Sequence, residues 1–249
     1  MELTIGLVAI LFCVAFLAGF IDAMAGGGGL LTIPALLLAG LNPVSALATN
    51  KLQACAGSFS ASLTMVKKGI AHPKTIRSAL LLAFVGSALG TILVQLSPPE
   101  FLKIAIPFVV GAMGLYTLLS PNLGQYQKPP KVSDKVWQNG IVPAIGFYDG
   151  YLGPGTGTFF SLSGVVGRGQ DLVRATGNAK LLNFATNIAS LIFFIIGGQV
   201  VWVIGLVMMA GQALGAYLGS TMVVKGGAKF IRPVIVIVCF AMVIRYVFW

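Results

Sequence analysis

The chain has 249 residues, 57% hydrophobic and only 9% charged, with a formal net charge of +10. A soluble domain carries about 25% charged residues, so this composition excludes an ordinary water-soluble fold, and the long apolar runs read as membrane spans. The positive charge does not indicate nucleic acid, because the cations sit in short loops between apolar runs, as the positive-inside rule requires.

The first run, Leu3–Met24, has no basic leader and no small-x-small cleavage site. It is expected to be retained rather than removed as a signal peptide. It leads into Gly19-Phe20-Ile21-Asp22, then Gly26-Gly27-Gly28-Gly29, and on to Pro34. Each glycine costs a helix about 1 kcal/mol relative to alanine, so the helix should break here. Free N–H groups at the start of the next helix are the make-up of an anion site. The other use of such glycines is close helix packing in the membrane. Leu30–Gly40 follows. As a helix it is only about 16 Å long, half of a hydrocarbon core of about 30 Å.

Asn42-Pro43 opens the helix Val44–Val66, and Lys67-Lys68-Gly69 ends it. After a loop with His72-Pro73-Lys74 comes the span Ile76–Leu96, stopped by Ser97-Pro98-Pro99. Phe101–Leu119 is the next span, with Pro107 as a kink position. The proline-rich polar stretch Ser120–Lys135 reads as a linker between an N-terminal repeat, 1–127, and a C-terminal repeat, 128–249.

The second half repeats the plan. Val136–Leu152 carries Gly146-Phe147-Tyr148-Asp149 and leads into Gly153-Pro154-Gly155-Thr156-Gly157, so Asp149 matches Asp22 and Gly153 matches Gly26. Thr158–Val166 is the short piece, Gly167–Arg174 a polar loop, and Ala175–Ile196, Val200–Val223 and Phe230–Phe248 the last spans. Ala48-Thr49-Asn50-Lys51-Leu52 resembles the stretch Ala175–Leu181, and Ser87-Ala88-Leu89-Gly90 resembles Gln212-Ala213-Leu214-Gly215.

Twelve of the 16 Lys and Arg fall on one face if the spans alternate: those of loop 67–77, the linker, loop 167–174 and segment 223–232. That face is cytoplasmic by the positive-inside rule, which sets both chain ends outside. Loop 67–77 is then inside, while its repeat partner Gly197–Val201 is uncharged and outside. The expected fold is therefore all-α: a polytopic integral membrane protein of two inverted-topology repeats. Each repeat has a re-entrant, broken-helix hairpin plus three full transmembrane helices, the plan of secondary transporters.

Irregular backbone deep in a bilayer is tolerated only against protein or a water-filled cavity. The amides of Gly27, Gly28, Gly29, Gly155, Thr156 and Gly157 are expected to face a common midplane cavity, with the hydroxyls of Thr32, Thr156 and Thr158 as further donors. Lys51 and Lys180 are the basic residues deep in helices, and an intramembrane charge is by default functional. They contact the anion or neutralise the carboxylates, Lys51 paired with Asp22 and Lys180 with Asp149. Asn50, Gln53, Asn178, Asn183 and Asn187 share their helices and serve either substrate or helix association. Asp22 and Asp149 fix the glycine loops, neutralise the lysines or take up H⁺ or Na⁺ for coupling. Loop fixing is favoured, since each precedes its glycine run by four residues. Cys13, Cys55 and Cys239 have no metal or redox spacing, and His72 is the single histidine. No cofactor, no metal and no enzyme activity are expected.

The run Gly26–Gly29 with Leu30 and Pro34, the following Ala48-Thr49-Asn50-Lys51, and the second copy around Asp149–Gly157 and Lys180–Asn187 resemble the sulfite exporter TauE/SafE family of bacterial membrane proteins, also called the toluene sulfonate uptake permease family. The resemblance covers nearly the whole chain. It implies a multi-pass transporter of the bacterial inner membrane whose partners are the lipid bilayer, a small inorganic or organic sulfur-containing anion (sulfite, sulfoacetate or another organosulfonate) and H⁺ or Na⁺ as coupling ion, with no nucleic acid. A passive anion channel on the same scaffold is the alternative, and an intramembrane enzyme or scaffold a weaker one. The two copies differ at Pro154, which has no N–H to donate, so the half-sites cannot bind identically.

Overall fold

The computed structural model describes residues 5–96, 115, 119, 127 and 129–248, and among them there is no strand. The first half holds α1 (Ile5–Ala25), α2 (Gly29–Leu38), α3 (Pro43–Lys67), a 3₁₀ turn (Pro73–Ile76) and α4 (Arg77–Leu96). The second opens with one α turn (Asp134–Val136) and a π turn (Trp137–Ile141). It continues as α5 (Val142–Tyr151), α6 (Thr156–Arg168), α7 (Leu172–Ile196) and α8 (Trp202–Phe248).

The long helices start where the sequence offers a cap. Asn42 Oδ1 accepts from Ser45 N at 2.9 Å with Pro43 in the first turn of α3, and Asp171 Oδ1 accepts from Arg174 N at 2.9 Å at the start of α7. Among the described residues four segments are long and apolar enough to cross a bilayer: Ile5–Ala25, Pro73–Leu96, Leu172–Ile196 and Trp202–Gly226. The molecule is an all-α polytopic membrane protein. Exposed Leu38, Leu81, Leu96 and Ile196 give it the apolar exterior that lipid requires.

Helix α3 has the length of a span, 25 residues, but not the apolar composition. Thr49, Asn50, Lys51, Gln53, Ser58, Ser62 and Thr64 are all buried along it. It packs against α7 and α8 inside the bundle, so its polar side chains meet protein rather than lipid. Contacts of Lys51 with Asn187 and of Met65 with Gly177 show that α3 and α7 run antiparallel.

Each half's first helix packs on the other half's helix through glycines. A Cβ at Gly86 or Gly90 of α4 would fall 2.2 Å from Pro143 O and 2.1 Å from Phe147 O of α5. On α8, one at Gly215 would fall 1.9 Å from Phe16 O of α1, with Gly211 and Gly219 in similar contact. Glycines four residues apart thus let helix backbones touch, the membrane small-xxx-small mode.

Three expectations differ. The two spans Val200–Val223 and Phe230–Phe248 are one continuous helix, α8, with no break at segment 223–232. Lys225, Lys229 and Arg232 read as loop charges in the sequence, but Lys and Arg are good helix formers and carry the helix through. At 47 residues it is about 70 Å long and exceeds the bilayer, so the alternation that put Trp249 outside does not hold as drawn. Helix α7 starts at Leu172, ahead of the expected Ala175, because Asp171 caps it. The expected span Phe101–Leu119 lies outside the described residues, apart from helical Leu115 and Leu119.

Candidate functional site: a cavity between two glycine loops

The two glycine loops meet. Gly26 (φ +81°), Gly153 (φ +94°) and Gly155 (φ +83°) adopt the left-handed conformation that glycine alone enters freely. A Cβ at Gly26 would lie 2.4 Å from Gly157 Cα and 2.3 Å from Thr158 N, so the turn after α1 rests directly on the start of α6. The Thr158 hydroxyl donates to Ala25 O and ties the loops together.

Each aspartate is bound into its own loop. Gly28 N donates to Asp22 Oδ1 at 3.2 Å, and the Thr156 hydroxyl donates to Asp149 Oδ1 at 2.7 Å. The other carboxylate oxygen of each faces a lysine of the opposite half. Lys51 Nζ is 2.8 Å from Asp149 Oδ2, with both side chains 2% exposed. Lys180 Nζ is 3.6 Å from Asp22 Oδ2 and also donates to Asp22 O. The pairing expected within each half, Lys51 with Asp22 and Lys180 with Asp149, is therefore replaced by a crossed one. Helices α3 and α7 pack antiparallel, and each lysine reaches the opposite half's aspartate. Lys51 sits beside Gly153 of the second loop; Lys180 sits beside Gly157 of its own half's loop and reaches Asp22 where Gly26 meets Gly157.

Between the loops is a cavity of about 20 Å³, room for about one water molecule. Asp22, Gly26 and Gly29 line it from the first loop, and Asp149, Gly153, Thr156 and Gly157 from the second. Helix α3 adds Asn50, Lys51 and Ala54, α7 adds Asn183 and Asn187, and α8 adds Gln212. Asn183, Asn187 and Gln212 lie near the middle of the spans Leu172–Ile196 and Trp202–Gly226. Asn187 Oδ1 accepts from Lys51 Nζ at 3.2 Å, and its amide group donates to Asn183 Oδ1 and Ser58 Oγ at 3.4 Å each.

Other expected site residues stand behind this wall. Thr32 Oγ1 and Gln53 Nε2 donate to Asn50 Oδ1 at 2.6 and 3.2 Å, which leaves the amide N–H₂ of Asn50 as the end that can donate. The Gly28 amide, expected to be free, is taken by Asp22, and Thr156 N is directed at Gly153 O at 3.4 Å. Gly27, Gly155, Thr158 and Lys180 are next to the wall but not on it. Asn178 is remote, bonded to Gln170 Oε1 at 3.3 Å near the start of α7. The sequence analysis missed Gln212 and Ala54 as wall residues. The repeat match of Gln212 to Ser87 was the available signal for the glutamine.

The family model described as "Sulfite exporter TauE/SafE" matches residues 11–246. The chain belongs to the TauE/SafE family. It is 47% identical over 248 residues to a "Probable membrane transporter protein" of Haemophilus influenzae, covering 100% of this chain and 97% of that one. It is 47% identical to the "Probable membrane transporter protein YfcA" of Escherichia coli, over 93% and 86% of the two chains. With the "Probable membrane transporter protein ORF9" of a Sinorhizobium species it shares 44% over 98% and 94%. No solved structure matches. This TauE/SafE chain is thus a membrane transporter, which acts on a small molecule in a lipid bilayer. Its cavity presents the Asn50 amide as a donor and the Lys51 ammonium, set beside the carboxylates of Asp22 and Asp149.

Proposed function

We propose that the chain is a secondary transporter of small sulfur-containing anions (sulfite, sulfoacetate or another organosulfonate) in a bacterial cytoplasmic membrane. Its halves are inverted-topology repeats that rock about the two glycine loops, giving the site alternating access. The observation that carries this reading is the meeting of Gly26 with Gly157 beside Lys51 in one buried polar cavity. The antiparallel course of α3 and α7 supports the inverted relation of the halves.

Coupling follows from the crossed ion pairs. An anion entering the cavity meets Lys51 already neutralised by Asp149. A proton or Na⁺ taken up by that carboxylate releases the lysine to the anion, so cation and anion load together. Purified protein screened for binding of sulfite, thiosulfate, sulfonates and carboxylates tests the substrate class. Binding confined to carboxylates would contradict it.

A further inference from the structure

Gln212 differs from every other polar wall residue. It is 2% exposed, and its Oε1 has no hydrogen-bond partner. Among the described residues neither end of its amide is tied. Its repeat counterpart Ser87 is fully engaged, with Oγ at 2.8 Å from both Thr186 O and Ser190 Oγ. Leaving a buried amide unpaired destabilises a fold. The molecule also makes room for it. A Cβ at Gly57 would lie 2.5 Å from Gln212 Cγ, and one at Gly28 3.3 Å from Gln212 Nε2. Three helical elements thus seat one glutamine whose head faces the cavity and bonds to nothing.

The wall that Gln212 completes has no apolar side chain larger than the methyl of Ala54. An amide turns about its last bond at no change in volume, so either its oxygen or its N–H₂ can point at a substrate.

We infer that Gln212 is a substrate-contacting residue of this cavity, its untied amide turning to meet the substrate. This rests on the transporter reading above.

The test is equilibrium binding of sulfite, thiosulfate and toluenesulfonate to purified full-length protein and to Gln212→Met, with the melting temperature of each recorded. For whichever of the three the wild type binds, Gln212→Met, of similar volume, should remain folded and lose about tenfold or more in affinity. Gln212→Asn, should the methionine variant not fold, is expected to keep the amide but lose reach, with a similar loss. Unchanged affinity in a folded variant would overturn this inference and leave the transporter reading standing. Failure of the wild type to bind any of the three would overturn both.

Discussion

Lys51 of one half is held 2.8 Å from Asp149 of the other, and that carboxylate is at the same time bonded to Thr156 in its own glycine loop. One ion pair therefore joins the two halves, the loop and the cavity wall. Removing one partner of a buried pair leaves a buried charge and costs about 3–5 kcal/mol. Lys51→Met should destabilise the protein by that order, and adding Asp149→Asn should restore most of it. Adding Asp22→Asn instead should not, because Asp22 belongs to Lys180. Denaturation of the single and double variants in detergent checks this. Rescue by Asp22→Asn would reject the crossed pairing.

Charge at the same pair should set anion affinity. Asp149→Asn removes the carboxylate that neutralises Lys51, so the variant, where it folds, should bind one anion more tightly than the wild type at a fixed pH. Equal or weaker binding by the folded variant would argue that Asp149 does not hold Lys51 from the anion.

Gly26 should tolerate no side chain. Gly26→Ala meets both a positive φ and the backbone of Gly157, so it should unfold the loop contact and abolish transport. Gly69 also has a positive φ, +69°, but open space around it. Gly69→Ala should cost only about 1 kcal/mol and leave transport intact. Thermal stability and uptake of the two variants distinguish the contact from backbone strain alone.

The long helices require that His72 and Arg174 lie on one membrane face, since they share a surface hollow between loops 67–77 and 169–174. Gly198 follows the opposite end of α7. Cysteines introduced at His72 and Arg174 should react with a membrane-impermeant reagent from the cytoplasmic side, and one at Gly198 from the other. Labelling of all three from one side would contradict the bundle described.

Much of this was legible in the sequence. Four consecutive glycines, a repeated Asp and Asn42-Pro43 act locally, and they located the broken segments and the start of α3. The start of α7 was placed at Ala175, because its cap Asp171 stands in a stretch that reads as a polar loop. The partners of Lys51 and Lys180 were not legible, because the sequence gives depth along a helix but not which helix lies opposite. Gln212 was missed for a similar reason: an isolated glutamine in an apolar run has no period or spacing, and only packing shows that it has no partner. The continuity of α8 through Lys225 and Arg232 was misread because the same residues that orient loops also favour helix.

On this reading a sulfur oxyanion crosses through the cavity between the glycine loops. Purified protein in proteoliposomes, with sulfite or thiosulfate accumulation followed under an imposed proton or Na⁺ gradient, tests this, with Gly155→Leu as the comparison. The wild type should accumulate sulfite or thiosulfate until the gradient is collapsed, and Gly155→Leu should insert into the liposomes but move none. Equal accumulation by Gly155→Leu, or a wild type that moves no sulfur oxyanion under either gradient, would contradict it.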